Sequence, residues 1–349
     1  MKRLACIIPA VLFLVAVVSC SESLPRAKEL PCDVSGFHQV FTDVESAKPC
    51  DELHSLMVLK DGEVIFEEYA PGHDKDEMHV MWSASKSVTA LAVGFAWQEG
   101  LLDVNDPIVK YFTPDELPSE PSETLKKVTI HDLLTMSAGF CEDPVGRGMS
   151  GEDFDWVKYT LALDFIFEPG TRFCYNSFET YLLSVIVSKL SGQTIEEYLE
   201  PRLFKPLGIK DHYWKTSPQG YNCGGWGLYI NLESFAKIGQ FFLQRGEWKG
   251  KRLLDAKWFD QAMSPQIMQY AGSEPDEATL ESFKTNDWAQ GYGYQMWCCT
   301  HGAYRLDGAY GQMCLICPEK NCVIAYFAYC NETARLVNSC WKNIYDVLP

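Results

Sequence analysis

Trp82-Ser83-Ala84-Ser85-Lys86 leads into Ser87-Val88-Thr89-Ala90-Leu91-Ala92-Val93-Gly94-Phe95-Ala96-Trp97. The second run is apolar almost all round, the mark of a helix inside a core rather than on a surface. The first run sets a hydroxyl three residues before an amine, where that helix begins. Positions i and i+3 share a helix face, so Ser83 Oγ and Lys86 Nζ can meet. A serine hydroxyl is a poor nucleophile until a neighbour takes its proton. Lysine can take it only when burial or a nearby cation lowers its pKa. Ser83 would sit where free backbone N–H groups favour negative charge. Ser-x-x-Lys also arises by chance about once in a chain of this length, so it needs company elsewhere.

The chain has 349 residues, enough for one large domain or two intimate ones. Hydrophobic residues at 47% and charged residues at 22% are ordinary for a globular protein. The net charge of −17, without a Lys/Arg cluster, argues against nucleic acid or an anionic membrane surface as partner.

Residues 1–19 read as a targeting segment. Lys2 and Arg3 precede an apolar run from Leu4 to Val18, too short for a typical membrane span. The run ends Val17-Val18-Ser19-Cys20, which resembles a bacterial lipoprotein signal whose cleavage exposes Cys20 for lipidation. The expectation is an exported, membrane-anchored protein facing the periplasm or cell exterior. Residues 20–50, polar and with Pro25, Pro31 and Pro49, then read as a tether ahead of a domain over 51–349.

Of fourteen cysteines, Cys6 would leave with the signal and Cys20 would carry lipid. An exported chain with twelve remaining suggests disulfides, although a reducing host would leave thiols. Cys317 and Cys322 flank the turn Pro318-Glu319-Lys320-Asn321, so a hairpin would set them opposite each other. Cys314-x-x-Cys317 could suggest zinc. In a strand, though, an offset of three points the two side chains to opposite faces, and no second C-x-x-C or nearby His cluster accompanies it. No metal or organic cofactor is expected.

Ser55–Lys60 and Glu63–Tyr69 flank Asp61-Gly62, a strong hairpin signal. Helices are expected to start at Ile130 and to cover Tyr181–Leu190, Leu232–Leu243 and roughly 332–347. Strands are expected over 303–307, 312–317 and 322–330, and the acidic stretch Ala271 to Asp287 reads as a loop. Strands at both ends with helices between imply an α+β fold. Its antiparallel sheet is built from both chain ends and flanked by helices, with a mostly helical region inserted.

From about Ser55 to Asn331 the chain resembles the class C β-lactamase-like, penicillin-binding-type serine hydrolases. The branch with 6-aminohexanoate-dimer hydrolase and esterases is the nearest in look. The resemblance is carried in order by Trp82–Thr89, Glu99–Pro107, Val128–Gly139, Glu168–Ser177, Pro206–Ile209, Gly224–Tyr229 and Gly308–Gln312. It implies that Ser83 is acylated and that Lys86 is its general base. Tyr175, in Tyr-x-Asn-like Tyr175-Asn176-Ser177, would move protons to the leaving group, its phenol pKa depressed by the lysine cation. Ser177 stands where true β-lactamases carry Asn, which disfavours recognition of a β-lactam side-chain amide. Leu306-Asp307-Gly308 stands where the family often has Lys-Thr-Gly or His-x-Gly. Asp307 there would repel an anionic substrate, with Arg305 on the same strand face as the candidate for compensation. Gly308 would let backbone approach the substrate, and the N–H groups of Ala309 and Ser83 would form an oxyanion hole. Ser85 is expected to turn away from the site and Asn176 to be structural.

Three functions follow as expectations. The first is a serine hydrolase acting through an acyl-enzyme on a small ester or amide. The second is a D-alanyl-D-alanine carboxypeptidase or β-lactamase acting on short cell-wall peptides or β-lactams. The third is a non-catalytic cell-envelope binding protein on a hydrolase scaffold.

Overall fold

A computed structural model describes residues 23–46, 51–144 and 154–349. Cys20 and the signal-like segment 1–19 lie outside the described residues.

Asp61 and Gly62 both adopt positive φ and close the hairpin of β1 (Glu52–Lys60) and β2 (Glu63–Tyr69). From the other end of the chain come β8 (Trp297–Cys298), β9 (Tyr304–Gly308), β10 (Gln312–Cys317) and β11 (Cys322–Tyr329). They join in one antiparallel sheet of order β2-β1-β11-β10-β9-β8, so β1 pairs with β11 from Glu52↔Tyr329 to Lys60↔Cys322. This is the α+β fold expected from the sequence. A small second sheet orders β3 (His79–Val80), β5 (Leu228–Ile230) and β4 (His212–Trp214), and β6 (Glu247–Trp248) pairs with β7 (Lys251–Arg252).

The inserted region is helical. It holds α2 (Ser85–Gln98), α3 (Ile130–Leu134), α4 (Trp156–Leu161), α5 (Ser177–Ser191), α6 (Ile195–Leu199) and α7 (Lys205–Leu207). α8 (Leu232–Leu243) and α9 (Ala256–Ala262) follow, and α8 lies across β10, β11 and β1. Every residue of α2 from Ser85 to Ala96 is buried, as its uninterrupted apolar run requires. One core fills the space between the sheet and these helices; a second lies on the opposite face.

Within the stretch 20–50 expected as a tether, that second core corrects the expectation for residues 35–45. Residues 35–45 form a short turn and α1 (Gln39–Glu45), and Phe37, Val40, Phe41 and Val44 are buried against the sheet and α11 (Thr333–Cys340). Four apolar side chains at helical spacing outweigh the polar composition of their surroundings. The acidic stretch is also corrected, since Glu277–Phe283 forms α10, capped by the Asp276 side chain and without a buried residue.

Eleven cysteines among the described residues stand as free thiols, eight of them buried, and this departs from the suggested disulfides. Buried thiols act as small hydrophobes in these two cores. Cys317 and Cys322 are cross-strand partners, as their spacing implies. Cys314 belongs to one core and Cys317 to the other, the strand alternation that argues against a shared ion. Among the described residues no helix is long and apolar enough to cross a membrane.

Candidate active site

β3 ends at Val80, and a tight turn over Trp82–Ala84 carries the chain into α2. Trp82 holds a positive φ of 45°, a strained conformation for a bulky side chain and a frequent companion of functional turns. The turn leaves Ser83 partly exposed while Lys86, at 1% exposure, is enclosed. Lys86 Nζ lies 3.0 Å from Ser83 Oγ, 3.1 Å from Ser177 Oγ and 2.7 Å from the Gly225 carbonyl oxygen. Burial lowers the Lys86 pKa to about 7, against the opposing pull of the Asp143 and Asp307 carboxylates. The amine is thus poised to take a proton near neutral pH.

Tyr175 completes the group. Lys86 Nζ sits 4.8 Å from the centre of its ring, and its phenol shares a hydrogen bond with Ser83. The expected depression of the phenol pKa is corrected. Burial pushes it above the ordinary tyrosine range, the Ser83 hydrogen bond pulls down, and the Asp307 and Asp143 carboxylates push it further up. The phenol keeps its proton and is suited to donate it.

Asn176 caps α5 by accepting from the Phe178 N–H and donates to the Glu142 carbonyl oxygen, a structural part as expected. Ser177 follows as the first helical residue, its N–H donating to Asp143 Oδ2 at 2.8 Å. Its hydroxyl meets Lys86 rather than standing free for substrate. Ser85 turns away and accepts from the Leu228 N–H, which ties α2 to β5.

Backbone crowding explains two glycines. A Cβ on Gly225 would lie 2.5 Å from the Ser177 carbonyl oxygen, and one on Gly308 would lie 2.2 Å from that of Met81. Gly308 therefore brings the end of β9, with Ala309 next along, against the turn that holds Ser83.

Arg305 and Asp307 share one face of β9, as alternation requires, with Arg305 Nε 2.7 Å from Asp307 Oδ2. The guanidinium is fully buried, over Trp288 at 4.1 Å and Trp297 at 5.2 Å. The pair offsets the anionic rim expected from Asp307 alone. Trp82, Tyr310 and Tyr329 form an exposed run of ring contacts that begins next to Ser83 in sequence.

Sequence reasoning missed three supports. Asp143 holds the start of α5, and the Gly225 carbonyl anchors the amine. Gln295 joins the helices: it donates to the Leu133 carbonyl oxygen, accepts from Thr180 Oγ1, and its own carbonyl accepts from Ser87. None carries a local motif; only the Gly224-Gly225 doublet hinted at close packing. A histidine cluster was missed as well. His54, His73 and His79 lie up to 25 positions apart in sequence, yet their ring nitrogens fall within 4.8 Å of one another.

A Beta-lactamase family model matches residues 54–348. The chain belongs to the beta-lactamase family. Among curated proteins, this family member is 26% identical over 193 residues to a "Putative D-alanyl-D-alanine carboxypeptidase" of Salmonella agona. That match covers 48% of this chain and 44% of the relative, so the beta-lactamase-family chain spans less than half of that protein. Among solved structures it is similar to a "Putative 6-aminohexanoate-dimer hydrolase from Bacillus anthracis". The TM-score is 0.69 at 20% identity, over 93% of this chain and 86% of that one. A D-stereospecific amidohydrolase from Streptomyces sp. gives a TM-score of 0.66 at 14% identity, over 88% and 98%. At such identities the structural likeness establishes the fold.

Proposed function

We propose that this protein is an exported, lipid-anchored serine hydrolase that cleaves small esters or amides through an acyl-enzyme. One observation carries the reading: a partly exposed Ser83 hydroxyl lies 3.0 Å from a buried Lys86 amine whose pKa is about 7. Lys86 takes the proton as Ser83 Oγ attacks the substrate carbonyl. The N–H groups of Ser83 and Ala309 hold the oxyanion, a contribution of roughly 3–4 kcal/mol per donor in comparable sites. Tyr175 gives its proton to the leaving group. Water then attacks the acyl carbonyl and returns a proton to the Tyr175 phenolate, while Lys86 hands its proton back to Ser83 Oγ as the acyl chain leaves. The lipid anchor is Cys20, and the substrate is a small molecule or short peptide.

The curated relatives favour a second reading, a carboxypeptidase or β-lactamase. Against it, the rim offers an Arg305–Asp307 pair where a substrate carboxylate wants a free cation.

Labelling tests the reading. A fluorophosphonate should modify wild-type protein at Ser83 and fail on Ser83→Ala, and nitrophenyl acetate turnover should fall by at least ~10³-fold in that variant. Strong labelling of Ser83 by fluorescent penicillin, with weak ester turnover, would favour the second reading. Folded protein that resists both probes would point to a non-catalytic binding protein.

A further inference from the structure

Away from the Ser83 group, three separate pieces of chain converge on one spot. His54 comes from β1, His73 from the loop after β2, and His79 from β3. The pairing of β1 with β11 shifts register between Leu53 and Ser55, so His54 is the residue at the irregularity. Bulges of this kind re-aim a side chain. The His54 and His73 rings stack with centres 4.1 Å apart, and His79 lies 5.2 Å from His54.

Carboxylates complete the arrangement. Glu77 Oε2 is 2.7 Å from His73 Nδ1 and 3.3 Å from His79 Nε2. Glu52 Oε1 is 3.5 Å from His73 Nε2, on the opposite edge of that ring. His54 Nδ1 is buried with no hydrogen-bond partner, an unusual state for a polar atom.

We propose that His54, His73, His79 and Glu77 bind one divalent transition-metal ion of the zinc class, with Glu52 orienting His73 from behind. Three imidazoles and one carboxylate suit a tetrahedral zinc-type ion, whereas calcium and magnesium prefer all-oxygen shells. Nitrogens bound at about 2.0–2.1 Å sit about 3.3–3.4 Å apart in a tetrahedral shell. The three imidazole nitrogens, one from each ring and within 4.8 Å of one another, close to that value when the stacked rings splay by side-chain rotation. Glu77 Oε2 already stands 2.7 Å from His73 Nδ1 and 3.3 Å from His79 Nε2. The His54 Nδ1 lone pair gains the partner it lacks. Glu52 on the far nitrogen of His73 repeats the carboxylate–histidine–metal pattern that fixes ring orientation. His79 lies four residues before Ser83, so the ion would pin β3 against β1 ahead of the nucleophile turn. This site is independent of the reaction proposed above.

Equilibrium dialysis of tag-free, chelator-stripped protein against zinc chloride tests it. One zinc per chain is expected. Free zinc at 100 times the dissociation constant should lower the unfolding equilibrium constant about 100-fold. Glu52→Gln should weaken binding about 10-fold, and His73→Ala should abolish stoichiometric binding. Glu77→Gln, at a partly exposed position, gives a second ligand loss should His73→Ala misfold. Cobalt in place of zinc should show visible ligand-field bands without thiolate charge transfer. Zinc uptake far below one per chain, equal binding by folded His73→Ala or Glu77→Gln, or thiolate bands from the cysteines would each overturn the proposal.

Discussion

The Lys86 ammonium nitrogen and the Gly225 carbonyl oxygen are 2.7 Å apart, the shortest of that amine's hydrogen bonds to Ser83, Ser177 and Gly225. A carbonyl only accepts, so this bond uses one N–H in either protonation state. When the amine is neutral, its second N–H can serve Ser177 and its lone pair is left facing Ser83. The backbone carbonyl thereby holds the amine in place and leaves one N–H and the lone pair to be shared between the Ser177 and Ser83 hydroxyls.

Activity should rise with pH through about 7, as Lys86 loses its proton. No falling limb from Tyr175 should follow in the mildly alkaline range, because burial holds the phenol protonated. A pH profile of kcat/KM that falls as pH rises from 6 to 8 would reject Lys86 as base.

Stability carries the same signature. The folded pKa of Lys86 is lowered, so between about pH 7 and the ordinary lysine range the unfolded chain binds more protons than the folded one. The unfolding free energy therefore climbs with pH across that window, and the burial cost is felt fully below it. Denaturant melts at several pH values should show a shallower rise for Lys86→Met than for wild type.

Tyr175→Phe removes the donor while keeping the ring that lies beside Lys86. Amide turnover should fall about 10²–10⁴-fold, the usual range for a positioned acid. Nitrophenyl esters, whose leaving group needs no proton, should lose far less. Equal losses on both substrates, measured side by side, would remove Tyr175 from the donor role.

Asp307→Asn leaves the Arg305 guanidinium buried without its counter-charge. Breaking a buried pair in this way costs about 3–5 kcal/mol, readable as a drop in the denaturation midpoint. The surviving variant should also shift its kcat/KM toward esters bearing a carboxylate. An unchanged preference would show that the pair does not govern substrate charge.

Cys20→Ser should abolish palmitate incorporation and move the protein from the membrane fraction to the soluble fraction. Retention of both label and membrane association would send the anchor elsewhere in the chain.

Much of this architecture was legible in advance because local rules suffice for it. Asp61-Gly62 specifies a hairpin, Leu232–Leu243 repeats its apolar residues at helical spacing, and three late strands alternate or run apolar. Ser83 and Lys86 were found together because three residues on a helix already place them on one face. Residues 35–45 misled, since their burial depends on α11 and the sheet, which composition does not reveal.

Chain order thus carried the hydroxyl, the amine and the strands that close the sheet, since each is a matter of neighbours in sequence. Folding alone settled the rest: the acidity of Lys86, the pairing of Arg305 with Asp307 at the rim, the proton kept on Tyr175, and the meeting of His54, His73 and His79. Those properties depend on exclusion of water and on groups brought together from distant positions, and neither exists until the core has closed.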